Sequence, residues 1–338
     1  MNPLLVNNPW ILDNKDGTYT VTGPTNSPAM PEVYQIEIAE RCNLSCNFCS
    51  TGINFQGKSK KDAFINMDLF KTIAERDLGG SYFVELQHRG EPLLNPNIEE
   101  IVDILTPKVM VGLSTNGTLI HKKLGALLKL DYLTISFDAA TKEKYESLRI
   151  GATWETLISN IDLLLEARGN NPTPAIDLQL IQHHNQECDV DATKRLVDEH
   201  KWDVRVRTIQ DCFLGSLNHP DVFKVKSNDL CLNPFMSVSI HADGLVTPCC
   251  RTWDKEWVYG DLNEQSLYDI WNNNESVKDF RMRHRENRDL PYMCETCYSR
   301  SSTTLHWDLY KNAVQNIVRR NLKTRTIENR IVSAQGDV

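Results

Sequence analysis

The sequence predicts an α/β protein built on a parallel sheet, followed by a smaller cysteine-rich unit. Three observations lead there. Six strand-like runs, at 33–38, 82–87, 109–113, 132–137, 175–181 and 204–209, alternate with segments of helical periodicity. That alternation implies parallel strands joined by right-handed crossovers. The residues that end the first strands are of ligand-binding type, and such sheets bind ligands at the C-terminal ends of their strands. Finally, composition shifts after residue 212, and half of the ten cysteines lie between 231 and 300.

Residues 1–31 form a polar N-terminal extension. Its turn signals, Asn14-Lys15-Asp16-Gly17 and Gly23-Pro24, flank a short Thr18-Tyr19-Thr20-Val21 run that suggests a small hairpin. The first strand then delivers a cysteine loop. A helix follows over 67–78, with apolar residues at 67, 70, 73, 74 and 78, Asn66 as N-cap and Gly79-Gly80 as stop. Asn95-Pro96 reads as N-cap plus first-turn proline for a helix whose apolar face is Ile98, Ile101, Val102 and Leu105. Helices are expected near 120–130, at 154–168 and at 190–200. The expected divisions are a core domain at 32–212, a linker at 213–230, the cysteine-rich unit at 231–300 and a helical tail at 301–338. The basic end of that tail, Arg319 to Arg325, suits a solvated helix terminus favoured by the macrodipole.

A net charge of −8 argues against a general nucleic-acid-binding surface. No apolar run approaches the ~20 residues a membrane span needs. With no export signal at the N-terminus, the ten cysteines point to a reducing, cytoplasmic setting in which clusters of Cys mean metal rather than disulfides.

The stretch Cys42-Asn43-Leu44-Ser45-Cys46-Asn47-Phe48-Cys49 carries the sharpest signal. Three thiolates can hold three irons of a cubane cluster and leave the fourth iron open for chemistry. A tetrahedral zinc site wants four ligands, and no fourth Cys or His lies within this segment. A second set, Cys231-x12-Gly244-x4-Cys249 and Cys294-x2-Cys297, supplies four thiolates, which suit either a structural zinc or a fully ligated cluster. Cys250 adjoins Cys249 and is an alternative ligand, an inert thiol or a hydrogen-atom donor; Cys212, after the sixth strand, is the second candidate donor. Cys188 reads as a free cysteine, and His183 and His184 as loop residues. Arg205 and Arg207 share one face of the sixth strand, either binding an acidic substrate group or snorkelling from an outer face. Glu85, Gln87 and Gln179 carry the same ambiguity.

The Cx3Cx2C spacing with the aromatic Phe48 resembles the radical S-adenosylmethionine (radical SAM) superfamily. His88-Arg89-Gly90-Glu91-Pro92 resembles that family's Gly-Gly-Glu-Pro segment, which meets the amino group of SAM, with Arg89 in place of the first glycine. The resemblance implies a partial (β/α)6 TIM-like barrel, SAM, and a [4Fe–4S] cluster held by Cys42, Cys46 and Cys49. It also implies SAM contacts from Phe48, Gly90, Glu91, Ser114, Asn116, Ser136, Arg149 and Gln179, with Ser114 and Arg149 on the carboxylate. The second set resembles the SPASM/Twitch class of auxiliary iron–sulfur domains. No cysteine follows Cys297, which favours the shorter Twitch form with one auxiliary [4Fe–4S] cluster on Cys231, Cys249, Cys294 and Cys297. The implied function is reductive cleavage of SAM to a 5′-deoxyadenosyl radical, with electrons from reduced flavodoxin or ferredoxin, and hydrogen abstraction from an unactivated carbon. A small polar, cyclitol- or sugar-like substrate is expected, because the 31 residues before the core are too few for a leader-binding domain. A peptide maturase or epimerase is the alternative enzyme, and a metal-binding scaffold the alternative from another class.

Overall fold

The computed structural model describes residues 11–13, 19–21, 30–49, 51, 64–79, 81, 83–182, 189–210, 231, 233–252, 257–295 and 297. Cys188, Cys212, His183, His184, the 213–230 linker and the 301–338 tail lie outside the described residues. Strands β1 (Ile11–Asp13) and β2 (Tyr19–Val21) pair antiparallel as a separate hairpin.

The core is a nine-stranded sheet. Six of its strands are those expected: β3 (Val33–Ile36), β4 (Phe83–Leu86), β5 (Met110–Thr115), β6 (Tyr132–Ser136), β7 (Ala175–Gln182) and β8 (Arg205–Gln210), all parallel and in chain order. Strand alternation divides their side chains. One face, carrying Tyr34, Ile36, Val84, Leu86, Val111, Leu113, Leu133, Ile135 and Leu178, is fully buried and joins the main apolar core. Covering that core are α1 (Met67–Thr72), α2 (Ile98–Leu105), α3 (Leu124–Leu127), α4 (Lys142–Leu148), α5 (Trp154–Arg168) and α6 (Val190–His200). The opposite face has an apolar floor, including Val33, Phe83, Met110, Tyr132 and Ala175, and polar residues above it. Gly112 belongs to this face because a Cβ there would sit 2.5 Å from the Phe83 ring.

Several local expectations shift. The 67–78 helix begins under an Asn66 cap but passes into a π-helical turn at Ile73–Asp77. Asn95 does not cap α2, which opens at Ile98; its amide instead donates to the Ile38 carbonyl at 2.6 Å, bracing the strand that leads into the cysteine loop. Near 120–130 a short 3-10 turn precedes α3.

The C-terminal unit is not set apart from the sheet. Its first strand, β9 (Ser237–Ile240), pairs parallel with β3, and β10 (Leu245–Thr247) and β11 (Gly260–Asp261) extend the sheet antiparallel. Helices α7 (Asn233–Met236), α8 (Leu267–Asn273), α9 (Glu275–Glu286) and α10 (Tyr292–Glu295) complete it. Asp77, buried beside the barrel's first helix, accepts from Leu267 N at 3.1 Å and so holds the start of α8. Arg281 is buried against Trp271, with its guanidinium 4.0 Å from the ring centroid, and donates to the carbonyls of Pro234 and Trp271.

Candidate functional site

The cysteine loop leaves β3 and is pinned from three successive strand ends. From the β4 side, Glu91 N donates to the Arg41 carbonyl at 2.7 Å. From the β5 side, Asn116 donates through its amide to Asn43 Oδ1 at 2.9 Å and approaches Cys42 Sγ at 3.7 Å, while Thr118 accepts from Asn43. From beyond β6, Ser45 N donates to the Ile150 carbonyl and Asn47 to that of Ser147. Three backbone segments therefore fix a loop whose own residues form no helix or strand. Cys46 is buried, and Cys42 and Cys49 are half-buried. Burial pushes the Cys42 and Cys46 thiols up, to about 12 and about 11.

Gly90 has φ +46°, and a Cβ there would lie 2.1 Å from the Ala39 carbonyl oxygen. Only glycine allows this approach of the β4 loop to the cysteine loop. Gly90→Ala is expected to lower the urea midpoint by an amount equivalent to about 2 kcal/mol or more and to displace the loop; an unchanged midpoint would show that the approach is dispensable.

Glu91 is closed within the protein. Its Oε1 accepts from Leu93 N at 3.0 Å and Thr115 Oγ1 at 2.7 Å, and its Oε2 from Asn116 N at 2.7 Å. Burial nevertheless pushes this carboxyl up. Three donors make it the brace that sets the end of β5, and through Asn116 the cysteine loop. Arg149, just beyond α4 rather than inside a helix, is held by Asp138, which takes its Nε at 2.6 Å and also its Nη2. Its guanidinium lies 5.5 Å from the Phe48 ring centroid. Asp138 adopts φ +59° and accepts from Ile181 N with its other oxygen. Ser114 donates to Glu85 at 3.2 Å, Ser136 is half-buried at the end of β6, and Gln179 accepts from Arg207.

Of the second set, Cys294 and Cys297 are buried and close a tight turn in which Cys297 N donates to the Cys294 carbonyl at 3.2 Å. Burial and the neighbouring Cys249, Cys231 and Cys297 sulfurs push the Cys294 thiol well up. Burial, then Cys297 and Cys231, do the same to Cys249, up to about 12. These four form one group. Cys250 is also raised to about 12, by burial first, and its neighbours include Cys249, Glu85 on the barrel's polar face, and Cys297.

A buried cluster that sequence reasoning missed joins the cysteine loop, the β4 loop and β9. Arg89 grips Glu37 with Nε at 2.9 Å and Nη2 at 3.2 Å, reaches Glu40 at 3.2 Å and lies 3.3 Å from His241 Nδ1. His88 and His241 flank Glu37 at 3.6 and 3.7 Å. Glu37, His88 and His241 have the spacing of a metal trio, yet the guanidinium already neutralises the carboxylate. Arg89, the departure from the glycine pattern, thus turns into the protein and ties the two halves together. The only sequence signal was the adjacent His88-Arg89 pair at a strand end.

Two cysteine groups, one on the loop after β3 and one in the C-terminal unit that extends the same sheet, have the chemistry of an iron–sulfur enzyme. The comparisons give the family. The radical SAM superfamily model matches residues 36–197, and the SPASM iron–sulfur cluster-binding domain matches 231–298. The chain belongs to the radical SAM superfamily and carries a SPASM domain. Its cofactors are SAM, the [4Fe–4S] cluster that binds it and auxiliary iron–sulfur chemistry in the SPASM domain.

The chain is 23% identical to the S-adenosyl-L-methionine-dependent 2-deoxy-scyllo-inosamine dehydrogenase of Niallia circulans, across 80% of this chain and 94% of that protein. It is 28% identical to the GTP 3′,8-cyclase of Chlorobaculum tepidum over 52% of this chain and 53% of the cyclase, so it spans about half the length of that relative. It spans 28% of the molybdenum cofactor biosynthesis protein 1 of Drosophila melanogaster, at 29% identity over 46% of itself. Among solved structures, BtrN in complex with AdoMet and 2-DOIA shares the fold, with a TM-score of 0.50, 19% identity, and coverage of 80% of this chain and 94% of that one. No helix among the described residues is long and apolar enough to cross a membrane.

Proposed function

We propose that this radical SAM enzyme is a dehydrogenase of a small polyhydroxylated substrate of the cyclitol or sugar type. One observation supports the reading: a row of polar residues runs from the cysteine loop towards the C-terminal cysteines. Asn116 approaches Cys42; two residues back on β5, Ser114 is bonded to Glu85; and the Glu85 charge acts on Cys250, the chain neighbour of Cys249. In this reading a substrate lies along that row, between the two. The match to a dehydrogenase over nearly its whole length supports the same reading.

In this assignment Cys42, Cys46 and Cys49 hold the SAM cluster, and Cys231, Cys249, Cys294 and Cys297 one auxiliary cluster. When bound, these groups supply the 5′-deoxyadenosyl radical and a one-electron acceptor. The chain's own part is orientation and exclusion of water. Gly90 brings the β4 loop against the cysteine loop, Glu91 and Asn116 fix that loop on β5, and Arg149 packs over Phe48 under the control of Asp138. Ser114, Ser136 and Gln179 remain assigned to the SAM side of the polar face. Reduced flavodoxin or ferredoxin is the proposed electron donor, in the cytoplasm.

The test is anaerobic reconstitution with iron and sulfide, followed by SAM and dithionite. The expected products are methionine and 5′-deoxyadenosine, and with 2-deoxy-scyllo-inosamine added, a ketone two hydrogens lighter. Absence of 5′-deoxyadenosine would overturn the radical assignment.

A further inference from the structure

The polar face of the barrel carries a row of hydrogen-bonding side chains between the SAM side and the C-terminal strands. Ser239 on β9 donates to Gln35 on β3 at 2.8 Å. Ser114 on β5 donates to Glu85 on β4. At the far end Arg207 on β8 donates to Gln179 and, at 3.4 Å, to Thr134. Gln35 and Glu85 are register partners on neighbouring strands.

Four carboxylates of the barrel can be compared for their capacity to take a proton. Glu37 is gripped by Arg89 through two bonds. Glu91 is filled by three donors. Asp177 accepts from Arg205 at 2.7 Å and from Tyr132, with Arg207 at 3.7 Å. Glu85 differs. Its only hydrogen-bond partners among the described residues are the neutral side chains of Ser114 and Gln35, and it is half-buried on the polar face, where a bound molecule can reach it. Burial pushes its carboxyl up, Arg207 opposing, so the group is suited to holding a proton.

Resting on the dehydrogenase reading, we propose that Glu85 is the proton acceptor for the reacting hydroxyl of a polyhydroxylated amine lying along this face, with Gln35 and Arg207 orienting its other polar groups. The step balances. The hydrogen atom on carbon leaves to the 5′-deoxyadenosyl radical, the hydroxyl proton passes to the Glu85 carboxylate, and one electron passes to an oxidised iron–sulfur centre as the C=O bond forms. A proton must leave in this step, and among the described residues Glu85 is the one carboxylate on the face not already neutralised or filled.

The test uses the reconstituted full chain with 2-deoxy-scyllo-inosamine, both unlabelled and deuterated at the reacting carbon. Binding is read by calorimetry on the SAM-loaded protein, and folding by thermal melting. Glu85→Gln keeps the size and one acceptor oxygen but cannot take the proton. It is expected to lower kcat for the ketone about 100-fold or more and to leave the calorimetric Kd within about threefold. Deuterium should still appear in 5′-deoxyadenosine, and the ratio of 5′-deoxyadenosine to ketone should rise at least about tenfold. Glu85→Asp should recover part of kcat, and Glu85→Ala should weaken binding as well. Glu99→Gln, on the exposed face of α2, is the control and should change nothing. Ketone formation by Glu85→Gln within threefold of the parent overturns the role of Glu85. SAM cleavage without binding or oxidation of the aminocyclitol by the parent protein overturns the substrate class. Failure of the parent to cleave SAM at all would instead overturn the dehydrogenase reading beneath it.

Discussion

Replacing Cys46 with alanine is expected to remove SAM cleavage, lowering 5′-deoxyadenosine formation by about a thousandfold or more, because a cubane left with two thiolates is no longer a stable three-point site. Cys46 is the buried member of its trio, between the half-buried Cys42 and Cys49. It gains the Arg149 charge beside it, against burial that disfavours a thiolate. Cys294→Ala is expected to behave differently. It should keep SAM cleavage within about tenfold while stopping ketone formation, since it disturbs only the fully ligated set. Iron content, electron paramagnetic resonance and product analysis on each variant check the distinction. Identical behaviour of the two, with activity retained, would rule out separate roles for the two centres.

The second large effect concerns stability. Arg89→Met is expected to cost about 3–5 kcal/mol, because it strands the Glu37 carboxylate in a buried site. Glu37→Leu combined with Arg89→Met should recover most of that loss, since an apolar pair replaces the ion pair as a unit. Urea titration measures both, and a cost below about 1 kcal/mol for Arg89→Met would show the pair to be incidental.

The same cluster sets an acid limb. Burial works to raise the Glu37 carboxyl, but the His241 and His88 imidazoles, 3.7 and 3.6 Å away, and the Arg89 charge hold it well below the ordinary range. Its contribution is therefore present above the unfolded carboxyl pKa of about 4.3 and is lost as pH falls through the folded value. His241 is lowered by burial, and by His88 and Arg89, against the pull of Glu37. It favours the fold while neutral, and that contribution declines as pH drops below about 6.5. Both slopes have the same sign, so stability falls on acidification. His241→Gln should flatten the portion nearer neutrality.

The barrel was legible because its strands and crossover helices each carry their own periodicity. Trp154–Arg168 and Val190–His200 fall where the spacing of apolar residues places them, and the six strands agree to within one or two residues. The cysteine sets were legible because thiol spacing is a local code. What could not be read depends on distant partners. The β9 segment is a short Ser-Val-Ser-Ile run with no mark of the strand it pairs with, and adjacent Cys249 and Cys250 carry the same local code. Glu91 and Arg149 matched a pattern by type, but the roles of their side chains are set by Thr115, Asn116 and Asp138, which fold in from elsewhere. Asn95 looked like a helix cap because its sequence context was that of one, and the Ile38 carbonyl beyond β3 claimed its amide.

The parallel pairing of β9 with β3 bears on how the chain reaches its native state. Gln35 and Ser239 are 204 positions apart, so the leading strand keeps an open hydrogen-bonding edge until most of the polypeptide has emerged from the ribosome. High contact order of this kind slows folding, and an uncovered edge invites pairing with another molecule. Truncation before residue 237 should therefore yield aggregates rather than a free-standing catalytic half. During synthesis, that strand waits for its late-arriving neighbour to dock.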